Sequence, residues 1–443
     1  MSPNGSVSPA VDSRHVLAIA LPITLSNATT PLIGFVDTTV IGQMGEAHLI
    51  GAVAVSANVF SLLFWAFGFL RMGTTGLTAQ AVGAGNNAEV AANLFRPLLI
   101  ALVAGAGLIV LQWPLANAAF ALVSASDAVT AEAKTYFTVR IWAAPAALMN
   151  YALLGWYIGQ ARADIAFALQ LLLNGINLVL SIVFVLVLEW GVPGVAGAVV
   201  IAEVIALAVG SAIAWQQVSA TEFEWQTAHI LNPEKIANVL SVNADIMVRT
   251  LCLLTIFFIM TASAARADEL TLAANAILLA ITSVTVYFLD GYAYAAETLV
   301  GQSVGARDKS RFIQASKIST AWAVATSLFL TLALFIAGPS IIAFMTTDTA
   351  VRETAATFLP WAALTPVLGI WCFQLDGIFI GATATRAMRN MMILSLIAFL
   401  AAWWTFSAWF GNHGLWTALL ISYIARAVLL AVCLPAVIAK RFS

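Results

Sequence analysis

The chain has 443 residues, of which 62% are hydrophobic and only 9% charged, with a formal net charge of −2. Soluble domains carry roughly 25% charged residues, so a water-soluble fold of this size could not cover its surface, and an all-α integral membrane protein is expected. So small a net charge also provides no basic field to hold the phosphates of a nucleic acid.

A bilayer core about 30 Å thick takes roughly 20 apolar residues to cross as a helix. Residues 1–13 form a polar tail without the charged start and small-residue cleavage site of a secretory signal, so the first apolar stretch is expected to stay in the mature protein. Twelve candidate spans follow. In the first half they are Arg14–Ile41, Leu49–Val82, Asn93–Ala119, Ala131–Ile158, Ile165–Leu188 and Val192–Trp215. In the second they are Lys235–Ser263, Leu270–Val304, Phe312–Ala337, Val351–Ile380, Asn390–Phe410 and Gly414–Ile438. All should be helices, because a lone strand in lipid leaves its backbone groups unpaired. The expected organisation is an N-lobe over 14–215, a polar linker over 216–234 on the cytoplasmic side, and a C-lobe over 235–443.

Basic residues set the orientation. Twelve of them, among them Arg96, Arg162, Arg307, Lys309, Arg386 and Lys440, fall on one side of this topology, and only Lys134, Arg266 and Arg352 on the other. The positive side faces the cytoplasm, which puts both termini there.

The halves repeat. Gln80-Ala81-Val82-Gly83-Ala84 recurs as Gln302-Ser303-Val304-Gly305-Ala306, a shift of 222 residues. The same shift carries Gly155-Trp156-Tyr157-Ile158-Gly159 onto Gly377-Ile378-Phe379-Ile380-Gly381. Each unit has an even number of crossings, so the repeat is parallel, and two six-helix lobes related by a pseudo-two-fold along the membrane normal, facing one another across a central cavity, are expected.

Ionisable side chains are costly in hydrocarbon and point to function. The first lobe holds Asp37 and Glu203, with Arg71 in its second span as a possible cavity or inter-lobe charge. Asp37 shares its helix with Pro22 and Pro31, each of which removes a backbone hydrogen bond. Asn174, Asn177 and Ser181 recur at i, i+3, i+7 and so occupy one helix face. They suit either interhelical hydrogen bonding or a polar pocket shared with Asp37 and Glu203. Burial and a neighbouring carboxylate both favour the neutral form of a carboxyl group, so such a pocket suits the uptake and release of a proton.

In the second lobe Asp245 and Arg249 are i, i+4 neighbours, Asp290 and Glu297 share a face, Asp376 lies in the tenth span and Arg426 in the twelfth. A structural charge network and a second cation site both fit. Cys252, Cys372 and Cys433 are isolated in apolar stretches, and His15, His48, His229 and His413 lie far apart. No metal, cofactor or catalytic residue is expected from either set. Trp403, Trp404 and Trp409 suit the lipid interface.

Four stretches resemble one family. They are LPITLSNATTPLIGFVDTTVIG (21–42), FLRMGTTGLTAQAVGA (69–84), LDGYAYAAETLVGQSVGARD (289–308) and GIWCFQLDGIFIGATATRAMRN (369–390). The chain resembles the multidrug and toxic compound extrusion (MATE) family, in its DinF-like branch. The resemblance implies a twelve-helix, monomeric antiporter of the bacterial inner membrane that expels organic, often cationic or amphipathic compounds in exchange for H⁺ or Na⁺. It also implies that Asp37 is the coupling residue and that the helix bends at Pro22. The family's fifth-helix motif places an Asp four residues after an Asn; here Asn177 matches but Ser181 stands where the Asp is expected. Glu203 is the candidate replacement, and Asp376 resembles an aspartate tied to cation binding in the sodium-coupled NorM branch.

The readings that compete with a proton-coupled antiporter are a sodium-coupled one and a lipid-linked precursor flippase. The flippase should line its cavity with basic rather than acidic groups. A membrane-embedded transferase would need a DxxD-type carboxylate cluster or a sizeable soluble domain, and neither is visible, so no enzyme is expected.

Overall fold

The structure, a computed structural model, describes residues 11–44, 46–121, 126–220 and 230–443, with the side chains of all but 30–33, 35 and 47. Among these residues the regular elements are helical throughout. The first span is Ser13–Gly42, and it runs on through Pro22 and Pro31. The second is Ala47–Ala66 followed by Phe69–Gly83, interrupted at Phe67 and Gly68. The third is Asn87–Val110, followed by the short helix Gln112–Ala121.

The fourth span is Asp127–Arg140, a 3₁₀ turn Ile141–Ala143, and Ala144–Gly159. Its break precedes Pro145, whose missing N–H is harmless only in a first helical turn. The fifth is Ala163–Ile182 with a π-helical turn over Val183–Val187, and the sixth is Gly191–Ser219.

In the second half come Pro233–Ala267, Glu269–Gly305, Lys309–Met345, Thr349–Gly381 and Thr385–Phe442. The last joins two spans at Gly411, whose φ of 53° and ψ of −128° are accessible to glycine alone. Nine of the described helices are long and apolar enough to cross a membrane. The 58-residue helix contains two crossings, and the fourth span is split with Asp127, Glu132, Lys134 and Arg140 in its first part. The architecture is that of twelve transmembrane helices in two lobes.

The expected spans are recovered, most of them a few residues longer. The sixth continues to Ser219, and the next helix starts at Pro233; within the linker, residues 221–229 lie outside the described residues, as do 1–10 of the tail and His229. Arg96, expected on the cytoplasmic side, is buried in the third span. Its Nη1 donates to Glu89 at 2.7 Å and its Nε to the carbonyl of Ile230 at 3.0 Å, which fastens the end of the linker.

The chain divides into two compact units. The first takes Pro22–Ala81 and Asn86–Leu251, the second the start of the chain through Leu21, Val82–Gly85 and Cys252–Ser443. The main boundaries of these units fall inside the first and seventh spans.

Inside each unit the 222-residue repeat reappears as geometry. In the first unit a Cβ on Gly155 would strike the Arg71 carbonyl and one on Gly159 the Thr75 carbonyl; in the second, Gly377 meets Ala293 and Gly381 meets Glu297 in the same way. Each pair is the other displaced by 222, so the duplicated glycines are the places where the second span crosses the fourth, and the eighth the tenth. Close backbone approach through small residues is how helices pack where lipid supplies no hydrophobic drive. Left-handed residues repeat too, Gly85 with Arg307 and Ala161 with Thr383. So do the N-caps: Asn86 accepts from the Glu89 amide and Asp308 from that of Arg311.

Candidate functional site

The polar face of the fifth span meets Asp37, within the first unit. Asp37 is 4% exposed, and its Oδ1 accepts from Ser181 Oγ at 3.0 Å and from Asn177 Nδ2 at 3.3 Å. Asn177 Oδ1 is buried and has no hydrogen-bond partner among the described residues. One turn earlier Asn174 Nδ2 donates to Thr29 Oγ1 at 2.6 Å and its Oδ1 accepts from Gln170 at 2.9 Å, so the same face holds the first span at a second point. The π turn begins two residues after Ser181. Such wide turns are frequent beside functional sites.

Glu203 takes its hydrogen bonds from the fourth span. Its carboxylate accepts from Asn150 Nδ2 at 2.7 Å, and the same amide nitrogen donates to the Glu203 carbonyl at 3.0 Å. Sequence reasoning did not single out one half-buried basic residue of the fourth span, Arg140. Its Nη1 donates to the Tyr136 hydroxyl, one turn earlier on the fourth span.

Arg140 is fixed by aromatic packing. Its guanidinium lies 5.0 Å from the Phe60 ring centroid and 5.5 Å from that of Tyr136, and Phe60 stacks on Phe137 at 5.0 Å. Cations are attracted to such ring faces. The scaffold holding this group is local: Ser56 Oγ donates to the Ala133 carbonyl at 3.2 Å, Trp156 Nε1 to that of Val90 at 2.8 Å, and the buried Tyr157 hydroxyl to that of Gly210 at 2.7 Å. The fourth span is thereby tied to the second, third and sixth. The i, i+4 spacing of Tyr136 and Arg140 inside an expected span was the signal that could have disclosed them.

The charges expected to form one second-lobe network are divided between the units. Asp245 and Arg249 are buried in the first unit, whereas Asp290, Glu297 and Asp376 belong to the second. There Asp376 is met by Arg426, which forms a buried ion pair with it; Nε donates to Oδ1 at 3.2 Å and Nη2 closes on Oδ2. The counter-charge of Asp376 within its own unit is therefore Arg426. Arg71 is half-buried, and its carbonyl is the surface against which Gly155 packs. Of the tryptophans expected at the lipid interface, Trp404 and Trp409 are exposed, while Trp403 Nε1 donates to Ser263 at 3.0 Å.

A duplicated helical bundle with a buried acid on its first span defines a class of membrane transporter, and known proteins of that class match this chain. The MatE family's sequence profile matches residues 22–183 and 246–404, one block in each half. The chain belongs to the MATE family, as a member of the DinF-like branch, and is a multi-pass membrane transporter rather than an enzyme. It is 38% identical over 413 residues to DNA damage-inducible protein F of Escherichia coli, covering 93% of this chain and 90% of that protein. To the probable multidrug resistance protein NorM of Neisseria meningitidis it is 25% identical over 441 residues, covering 95% and 93%. A MOP superfamily transporter from Pyrococcus furiosus has the same fold, with a TM-score of 0.88 at 18% identity over 97% of each chain.

Proposed function

We propose that this chain is a proton-coupled antiporter that exports organic compounds, many of them cationic or amphipathic, by alternating access. The observation that carries this reading is Asp37: a buried carboxylate held by Ser181 and Asn177 on the first transmembrane helix. Removal from water penalises the charged form of a carboxyl group, which is the physical basis for binding a proton there. Coupling follows if proton and substrate favour different states of the protein, since a ligand shifts an equilibrium only by its differential affinity. The protein works as a monomer in the bacterial inner membrane, and the basic-residue bias supports placing both termini in the cytoplasm. The multidrug resistance role carried in the name of the NorM relative supports the choice of substrate class.

The test is efflux of an organic cation such as ethidium from proteoliposomes, with pH and sodium gradients imposed separately. The pH gradient should drive efflux in the wild type, and Asp37→Asn should abolish it. Unchanged pH-driven efflux in Asp37→Asn would end this assignment.

A further inference from the structure

We propose that the groove between the fifth and sixth spans is a phospholipid site selective for phosphatidylethanolamine. Its aliphatic walls take an acyl chain, and the Arg162–Asp164 pair at its mouth takes the phosphate and the ammonium of the headgroup.

The groove lies within the first unit and has a volume of about 310 Å³. Ile165, Leu169 and Leu172 of the fifth span form one wall, Val209 and Ile213 of the sixth the other, and Asp164 lies at one end. Gly210, lacking a side chain, leaves room for Leu169 between the two helices. Helical spacing puts Ile165, Leu169 and Leu172 on the side of the fifth span opposite Asn174, Asn177 and Ser181, so the groove faces away from the Asp37 pocket. Little of the fifth span's apolar length is buried against protein, and Leu171 and Val209 beside the groove are exposed. The groove therefore opens on the lipid-facing surface. From Asp164 to Leu172 it runs about 12 Å along the helix, most of the roughly 15 Å of hydrocarbon in one leaflet.

The mouth carries both signs of charge. Arg162 Nε donates to Asp164 Oδ1 at 3.0 Å and Nη2 to Oδ2 at 2.9 Å, and both side chains are exposed. This pairing uses two of the five guanidinium N–H donors and leaves lone pairs on both carboxylate oxygens. An exposed pair of this kind adds little stability by itself. Nor does the turn require it: the left-handed residue Ala161 has its repeat equivalent in Thr383, whereas the shift of 222 takes Arg162 to Ala384 and Asp164 to Arg386. The same backbone turn forms in the second half without an acid and a base side by side.

One headgroup complements this pair on both sides. Phosphatidylethanolamine has a phosphate for the guanidinium and a primary ammonium whose N–H groups the carboxylate can accept, each a charge-assisted hydrogen bond. The quaternary ammonium of phosphatidylcholine has no N–H to donate. Phosphatidylglycerol has no cation, and its phosphate is repelled by Asp164.

The test is lipid binding to the delipidated full-length protein in detergent, measured by native mass spectrometry. Dioleoyl phosphatidylethanolamine, phosphatidylcholine and phosphatidylglycerol are each titrated alone. The wild type should bind the first about tenfold more tightly than either of the others, the size of one charge-assisted hydrogen bond. Asp164→Asn should lower phosphatidylethanolamine to the level of phosphatidylcholine, and Arg162→Gln should weaken both. Ala168, another lining residue, is the place to fill the groove without touching the charges: Ala168→Trp should weaken all three lipids.

Equal binding of the three lipids by the wild type, or preference for phosphatidylglycerol, would overturn the proposal without any variant. A preference for phosphatidylethanolamine that survives Asp164→Asn, or binding unchanged in Ala168→Trp, would do the same by placing the lipid elsewhere. Ala168→Leu replaces the tryptophan variant should that one not fold, with the same reading. Transport is not the readout, so the outcome is independent of which ion drives efflux.

Discussion

Ser181 stands where the family motif places an aspartate, yet it keeps the contact that matters for Asp37. Its hydroxyl is fully buried and donates to Asp37 at 3.0 Å. A neutral donor steadies the carboxylate without adding the second negative charge that an aspartate would. On the proposed reading Glu203 supplies the second acid from the sixth span, where Asn150 donates to its carboxylate. The two residues should therefore answer differently to mutation. Ser181→Ala removes one hydrogen bond, worth about 1 kcal/mol of stability, and should leave efflux driven by a pH gradient largely intact. Glu203→Gln removes an acid of the proposed coupling site and should abolish it. Thermal denaturation in detergent and efflux measured on the same preparations test both statements, and the reverse order of efflux would remove Glu203 from the pocket.

Helix crossings depend on glycines that look ordinary in a chain with 28 of them. Gly155 has a backbone carbonyl where a Cβ would go, so Gly155→Ala must push the second and fourth spans apart. Overpacking of this kind costs about 1–3 kcal/mol, and Gly377→Ala should behave alike in the other half. Gly107 is the internal control: it lies in a helix with nothing within 4 Å of where an added methyl would sit. There, Gly107→Ala should be neutral or stabilise by up to about 1 kcal/mol, because alanine restricts the unfolded chain and favours helix. Melting temperatures of the three variants decide it. Equal destabilisation at Gly107 and Gly155 would show that the crossing is not the cause.

At the scale of the whole molecule, duplication and divergence act on different atoms. Backbone features recur at the shift of 222: glycine crossings, left-handed turns and N-caps. The polar pocket does not recur. Asp37, Asn177, Ser181 and Glu203 map onto Ile259, Phe399, Trp403 and Ala425. The scaffold is kept in both halves while one half alone carries the pocket, which is the expected outcome when backbone packing constrains both copies and ion chemistry needs only one. A parallel repeat of six-crossing units also requires both termini on the same side. In a variant whose Cys252, Cys372 and Cys433 are replaced, Ser443→Cys should react with a membrane-impermeant maleimide only after intact cells are permeabilised. Labelling without permeabilisation would invert the topology.

Apolar length, the positive-side bias and the 222-residue repeat were enough to determine a twelve-span duplicated membrane protein, because these constraints act along the chain and are written in local composition. The i, i+3, i+7 face of Asn174, Asn177 and Ser181 was legible for the same reason: helical spacing is local. That this face turns toward Asp37, that Asn150 takes up Glu203, and that Arg426 meets Asp376 were decided only by tertiary structure. Those pairings join residues 50 to 144 positions apart. Arg140 shows the difference most plainly. In sequence it is one more basic residue of the fourth span, and only the packing of that span against the second sets its guanidinium 5.0 Å from the Phe60 ring centroid.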